Sequence, residues 1–461
     1  MGAKTTRHDK FLTLREEFPV FIYENFDLVL DDKGLACTFR FRLGDRHSFT
    51  PSFFIPRKPW FLPDEEILPL LPALVFHIGM IELLSYWKAA CSPVVEVRAG
   101  GLTNGQKEWW KGLVYHGLGE FLHVNGIVAD PVTLVNFKTT EISKKIQRPQ
   151  REGTGILIPV GGGKDSAVTL ELLGPLPGSL PLVLNPAKAA WECIRQSGIS
   201  SQESDVVEIR RTLDPLLLKL NGEGFLNGHT PFSALLGFYT VLAAAMAGKK
   251  YIALSNESSA NEPTIPGTRI NHQYSKSFEF ESGFRRYVKE FLSEDVDYFS
   301  FLRPLHEIQI ARLFSRYRTY HEVFRSCNAG SKTGAWCGKC PKCLFTCIIL
   351  SPFLSEEELV RIFGHDLLND ADLLPYFEQL TGVSPEKPFD CVGTVDEVNA
   401  AIRATIDRRP TGSLPFLLNS YRMQDTGRQD QGALQRFLDS FDRQHHIPTH
   451  LLPVLTDALN G

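Results

Sequence analysis

The stretch "LIPVGGGKDSAVTLELL", residues 157–173, reads as an apolar strand, three glycines, a Lys-Asp-Ser step and a helix. Its lead-in, "GILIPV" at 155–160, is a continuous apolar run, the pattern of a strand buried on both faces. The alternation repeats outward: "LPLVLN" (180–185) as strand, "AKAAWECIRQSG" (187–198) as helix, "DVVEIRR" (205–211) as strand, and "KKYIALSN" (249–256) as strand after a long apolar helix. Strands alternating with helices predict an α/β fold, a parallel sheet with helices on both faces. Ligands of such sheets bind beyond the carboxyl ends of the strands, where the loops after "ILIPV" and "YIALS" would meet.

The loop between strand and helix has the chemistry of an anion cradle. Gly161, Gly162 and Gly163 lack Cβ atoms, so backbone N–H groups can approach an anion closely and adopt positive φ. The helix starting near Asp165 points its positive end at the same spot. Lys164 adds a full charge and Ser166 a hydroxyl donor, whereas Asp165 suits a Mg²⁺ ion that bridges phosphates. A Walker loop is excluded because Lys164 is followed by Asp165, and the dinucleotide G-x-G-x-x-G run is not present here.

Flanking regions are of other textures. Residues 18–56 carry two strand-like segments, "PVFIYENFDLVL" and "LACTFRFRLG", joined by the turn "DDKG". "LLPALVFHIGMIELLSYWKAA" (70–90) and the aromatic-rich segment to residue 124 read as helices. The polar, basic run 138–155 reads as a boundary. Beyond 350 the chain turns helical, with capping-box starts at Ser355/Glu358 and Thr394/Glu397, and the polar run 422–432 reads as a mobile loop. The expected organisation is an N-terminal α+β domain (1–150), a nucleotide-binding α/β domain with a cysteine cluster (151–350) and a helical C-terminal region (351–461).

The chain has 461 residues, a net charge of −4 and 22% charged residues, an ordinary globular composition with no global attraction to nucleic acid or anionic membrane. Neither a nucleic-acid nor a membrane partner is expected. The charged N-terminus does not resemble a secretory signal, and Met1-Gly2 with Thr6 fits the myristoylation pattern only loosely. "PFSALLGFYTVLAAAMAG" (231–248) is uncharged, yet Thr230 as N-cap, Pro231 at the first helical position and Gly248 at the end describe a helix packed on a sheet. Nine cysteines without a signal peptide point to the reducing cytoplasm. Four of them, Cys327, Cys337, Cys340 and Cys343, crowd into "CNAGSKTGAWCGKCPKC" with Gly338 and Pro341 at the turns. Four thiolates suit a structural tetrahedral Zn²⁺, with an iron–sulfur cluster as the other metal reading and Cys347 as an alternative ligand.

"GGGKDS" (161–166) resembles the Ser-Gly-Gly-x-Asp-Ser loop of the ATP pyrophosphatases, with Gly161 where that family usually has Ser. The resemblance implies an adenine nucleotide alpha hydrolase-like fold in which the loop grips the β,γ-pyrophosphate of ATP and leaves the α-phosphorus open. "SNESSANEP" (255–263) follows its strand as that family's second nucleotide loop does. Ser255 and Asn256 are then ATP-binding candidates, Glu257 a second Mg²⁺ ligand, and Arg303 of "RPLHEIQIARLF" a phosphate contact. Over about residues 70–400 the chain is similar to the ATP-dependent UDP-N-acetylmuramoyl-L-alanyl-L-glutamate epimerases of bacterial cell-wall synthesis. The most specific stretches are "FHIGMIELLSYWKAACSP", "NHQYSKSFEFE", "FRSCNAGSKTGAWCGKCPKCLF" and "KPFDCVGT". That resemblance implies ATP and a UDP-muramoyl dipeptide as substrates, AMP and pyrophosphate as products, and inversion of the glutamate through an acyl adenylate. The other reading is an adenylating ligase or nucleobase-modifying enzyme like the 7-cyano-7-deazaguanine synthases. Lys164, His229, His272, Tyr274 and Lys276 are the acid/base candidates, with His77 and Glu82 of the N-terminal helix as further ones.

Overall fold

The computed structural model describes residues 7–139, 153–199, 203–409, 414–424 and 432–461. The myristoylation pattern at Met1-Gly2 and most of the boundary run 138–155 and of the polar run 422–432 lie outside the described residues.

The described residues form eleven strands: β1 (Val20–Asp31), β2 (Gly34–Leu43), β3 (His47–Phe49), β4 (Ser52–Pro56), β5 (Val94–Val97), β6 (Asn136–Thr139), β7 (Ile156–Pro159), β8 (Leu180–Leu184), β9 (Val207–Thr212), β10 (Tyr251–Leu254) and β11 (Asp297–Ser300). They form one sheet in the order β11-β10-β7-β8-β9-β4-β2-β1-β5-β6, with β3 on β2. From β11 to β9 all pairings are parallel, as the βα alternation requires. The expected hairpin forms between β1 and β2, closing at Asp31 opposite Gly34. Gly34 has φ +141°, and a Cβ there would meet the Ile55 carbonyl at 2.1 Å, so the turn admits only glycine. β4 pairs antiparallel with β9, and the sheet therefore runs unbroken from the N-terminal strands into the parallel half.

Alternation along each central strand feeds two cores. In β7, Leu157 belongs to the core shared with the N-terminal region, whereas Ile156 and Ile158 face the core of the C-terminal helices. β8 and β10 divide likewise, Leu182 against Val183 and Ile252 against Ala253. This is why these strands read as unbroken apolar runs. One face is covered by helices Leu71–Trp87 and Phe232–Met246, which pack on each other. The other is covered by helices Lys164–Leu173, Glu307–Arg316, Pro341–Leu350 and Val395–Asp407. Both capping boxes predicted beyond residue 350 are formed. The helix after "NGHTPF" starts one residue later than its signals suggest. Pro231 is the N-cap, and the Thr230 hydroxyl accepts a 2.8 Å bond from Lys88 Nζ. No described helix is long and apolar enough to cross a membrane.

His77 and Glu82, on the buried helix Leu71–Trp87, are core groups 3% and 1% exposed. His77 Nδ1 bonds to the Ala73 carbonyl at 2.8 Å. Glu82 is 1% exposed, accepting from Arg211 at 2.5 and 2.7 Å and from the Tyr239 hydroxyl at 2.9 Å. Removing one partner of a buried pair strands the other charge. Glu82→Ala is therefore expected to destabilise the protein by about 3–5 kcal/mol. Arg40→Ala, at the exposed Arg40–Asp27 pair, should cost less than about 1 kcal/mol. Thermal denaturation of both variants checks the difference.

Candidate active site

The chain leaves β7 at Pro159 and turns through Val160–Gly163 into the helix Lys164–Leu173, with Gly163 as its N-cap. Gly162 has φ +85°, and a Cβ there would sit 2.6 Å from the backbone nitrogen of Ala190, so the loop lies directly against the next helix, Lys188–Ser197. A Cβ on Gly161 would meet nothing within 4 Å, and this residue lines the cavity. The Gly162 N–H donates to Ser166 Oγ (3.1 Å), the Ser166 hydroxyl donates to the Gly163 carbonyl (3.0 Å), and the Arg325 N–H donates to the Gly162 carbonyl (2.7 Å). Ser166, expected as an outward donor, thus also braces the loop from within.

Lys164 departs from its expected position. It is 4% exposed, and its ammonium turns inward to bond the carboxylates of Asp165 and Glu307 instead of facing the cavity. Glu307 opens the helix Glu307–Arg316, and its N–H donates to Glu397 Oε1 at 2.6 Å. Asp165, Glu257 and Glu307 each bring one carboxylate oxygen within 4.8 Å of the others. Burial pushes the Glu307 carboxyl up to about 8; Lys164 pulls the other way, but Asp165 and Glu257 add repulsion. Lys164 bonds two of these three carboxylates, and together the three offer the hard oxygen ligands that a divalent cation takes. Glu307 was missed from sequence although it stands four residues after the highlighted Arg303.

Arg303 itself is wholly buried, and it does not reach the cavity. Its guanidinium bonds Glu281 (3.1 Å) and Ser300 Oγ (3.3 Å), together with the Glu257 carbonyl (2.5 Å) and the Lys276 carbonyl. Arg303 therefore positions the two loops that carry Glu257 and Lys276. Ser255 lines the cavity with its hydroxyl oxygen buried and unpartnered among the described residues. Asn256 also lines it, its amide held by Ser300 Oγ at 3.0 Å.

The cavity, about 540 Å³, is bounded on one side by Gly161, Gly163, Asp165 and Ser166 and on the other by His229, His272 and Lys276. His272 and Lys276 stand on a loop with one 3-10 turn, Tyr274–Lys276. Tyr274 faces a different surface depression, beside His116. His272 Nδ1 bonds directly to Glu120 Oε2, and His229 Nδ1 lies 3.6 Å from the same oxygen. Burial, and then His272, push His229 down to about 4. Burial would also lower His272, but bonds to Cys391 and Glu120 raise it to about 9. Cys391 is held down to about 6 by Lys276, Lys342 and His272 against the opposing effect of burial. Cys391, Lys342 and Asp390 complete the wall. Cys391 stands in "KPFDCVGT", where no spacing rule announces a role.

The four clustered cysteines converge as their spacing required. Cys337 and Cys340 Sγ lie 3.6 and 3.5 Å from Cys343 Sγ, and all four sulfurs fall within 4.8 Å of one another. A tetrahedron with arms of about 2.3 Å has edges of about 3.8 Å, so the set fits a metal ion. Gly338 makes its turn at φ +68°, and Pro341 starts the helix that follows. Cys347 is buried in the core on that helix, outside the group.

Family models of the MurL N-terminal domain and the MurL C-terminal domain match residues 13–301 and 323–433. The chain belongs to the MurL family. The first MurL match includes the glycine loop, Ser255–Glu257, His229 and His272; the second includes the four cysteines, Cys391 and Glu397. Three curated relatives carry the name UDP-N-acetyl-alpha-D-muramoyl-L-alanyl-L-glutamate epimerase. The one from Salinispora tropica is 34% identical over 76% of this chain and 76% of its own length. The one from Xanthomonas oryzae pv. oryzae is 32% identical over 77% of this chain and 79% of its own. A third, from a Micromonospora species, is 35% identical over 76% and 77%. No solved structure matches the chain.

The loop geometry separates two adjacent glycines. Gly162→Ala must strain a positive φ, by about 1 kcal/mol from that cause alone, and also push the helix at Ala190 aside. Gly161→Ala meets open space. A melting temperature lowered in the first variant and unchanged in the second is the expected outcome of calorimetry.

Proposed function

We propose that this protein inverts the α-carbon of the terminal L-glutamate of UDP-N-acetylmuramoyl-L-alanyl-L-glutamate, using ATP, in cytoplasmic synthesis of peptidoglycan precursors. The names of the three relatives favour this over the ligase or nucleobase-modifying reading. The observation that carries it is that the glycine loop and the His229, His272 and Lys276 group open onto one cavity. A nucleotide-activation loop and a set of proton-transfer groups are then within reach of one substrate carboxyl and its α-carbon.

In this reading the parallel half of the sheet is an adenine nucleotide alpha hydrolase-like domain. Gly161–Gly163, Ser166, Ser255 and Asn256 receive ATP, and the orphaned Ser255 hydroxyl supports a polar ligand at that wall. Asp165, Glu257 and Glu307 would hold Mg²⁺, which supplies neutralisation of phosphate charge. The glutamate α-carboxylate attacks the α-phosphorus, pyrophosphate leaves, and an acyl adenylate remains. A carboxylate resists loss of the neighbouring proton because negative charge would accumulate. A mixed anhydride accepts that charge as an enolate, which brings the proton within range of a side-chain base. Return of a proton to the opposite face inverts the centre. Hydrolysis then releases AMP and draws an otherwise even L/D equilibrium to one side. The four cysteines would hold Zn²⁺ with every coordination position filled by sulfur, a structural arrangement.

Purified protein incubated with ATP, Mg²⁺ and the dipeptide nucleotide in deuterated water should yield AMP, pyrophosphate and a D-glutamate residue bearing deuterium at its α-carbon. ADP and orthophosphate, or pyrophosphate only when ammonia or RNA is added, would sink the reading. Asp165→Asn should reduce pyrophosphate release by a factor of roughly 100 or more while the fold persists. Elemental analysis should find one zinc per chain, and Cys340→Ser should lose it together with several degrees of melting temperature.

A further inference from the structure

Two cysteines line the cavity; Cys327 belongs to the four-sulfur cluster, and Cys391 does not. The Cys391 side chain lies beside His272 and Lys276 on one wall of the cavity. His272 is in turn bonded through Nδ1 to Glu120, on the short helix Gly119–Val124. Sulfur, imidazole and carboxylate thus stand in series, the arrangement by which a protein keeps a sulfur ionised and aimed. Lys342 reinforces it, donating through Nζ to the Cys391 carbonyl. The loop that carries the sulfur is anchored at both ends: Lys387 pairs with Glu262, and Thr394 caps the helix that carries Glu397. A core cysteine needs none of this.

We propose that Cys391, as a thiolate paired with His272, is the group that takes the α-proton from the activated glutamate, with Glu120 a positioning residue behind the imidazole. The proposal rests on the function given above. In the step, the Cα–H bond breaks, an S–H bond forms, and the C–H electron pair moves onto the acyl oxygen as the enolate. A proton of solvent origin enters the opposite face, and the thiol proton afterwards returns to water. One proton leaves and one arrives per inversion, with no oxidant or reductant.

The pH dependence follows from the groups around the sulfur: Lys276, Lys342 and His272 favour the thiolate, Glu120 faces His272, Glu257 and Asp165 face Lys276, Asp390 shares the wall, and His229 lies beside the imidazole. Deuterium uptake at the α-carbon should rise with pH through about 6, as Cys391 ionises, and fall beyond about 9, as His272 loses its proton.

The test compares the full-length, metal-loaded protein with Cys391→Ala and Cys391→Ser. Substrate-dependent pyrophosphate release is read beside deuterium uptake at the α-carbon. Uptake should drop by about 100-fold or more in both variants while pyrophosphate release persists, since activation precedes proton removal. His272→Asn should move the rising limb to higher pH. Uptake that survives in Cys391→Ala, a rising limb unchanged in Cys391→Ser, or a glutamyl thioester trapped on Cys391 by acid quench would each overturn the assignment. Failure of the parent protein to form pyrophosphate would instead strike the adenylation reading itself.

Discussion

The site hangs on one buried ammonium. Lys164 cannot remain charged inside the protein without partners, because an unpaired buried ion costs several kcal/mol. Its pairing with Asp165 and Glu307 fastens the glycine-loop helix to the helix Glu307–Arg316. Glu307 is fixed again from the other side, where Glu397 accepts its N–H as well as closing the capping box of the helix Val395–Asp407. Three segments far apart in the chain are thereby locked around a single carboxylate.

The cavity is consequently a product of the whole chain. Its glycine wall comes from the carboxyl end of β7 and its Ser255–Asn256 wall from that of β10, as expected of a parallel sheet. The rest of the wall is delivered by the segments around His229, His272 and Ser326, by Lys342, and by Asp390 and Cys391 of the C-terminal helical part. A buried arginine, Arg303, joins these by holding the carbonyls of Glu257 and Lys276 at once.

Features governed by neighbours in sequence were readable before any coordinates. The β1–β2 turn, the strand–glycine–helix unit, both capping boxes and the convergence of four cysteines each depend on residues a few positions apart. What escaped depends on partners that only the fold supplies. Lys164 turns inward because Glu307 lies there; Arg303 is drawn under the surface by Glu281; the Thr230 hydroxyl is bonded by Lys88 instead of capping a helix. Glu307, Glu120 and Cys391 carried no motif, because a lone carboxylate or thiol acquires meaning only from what faces it. His77 and Glu82 show the converse, polar residues that look functional in a string of letters and are bonded to neighbours within the core.

The antiparallel junction of β4 with β9 has a bearing on how the chain is made. Residues 57–206 separate these two strands, so during synthesis on the ribosome β4 emerges long before the partner that covers its outer edge. At ordinary translation speeds that wait is on the order of ten seconds. An uncovered strand edge in a nascent polypeptide is a template for pairing with other chains, and Ser52–Pro56 therefore marks the place where a chaperone would most usefully shield the newborn protein.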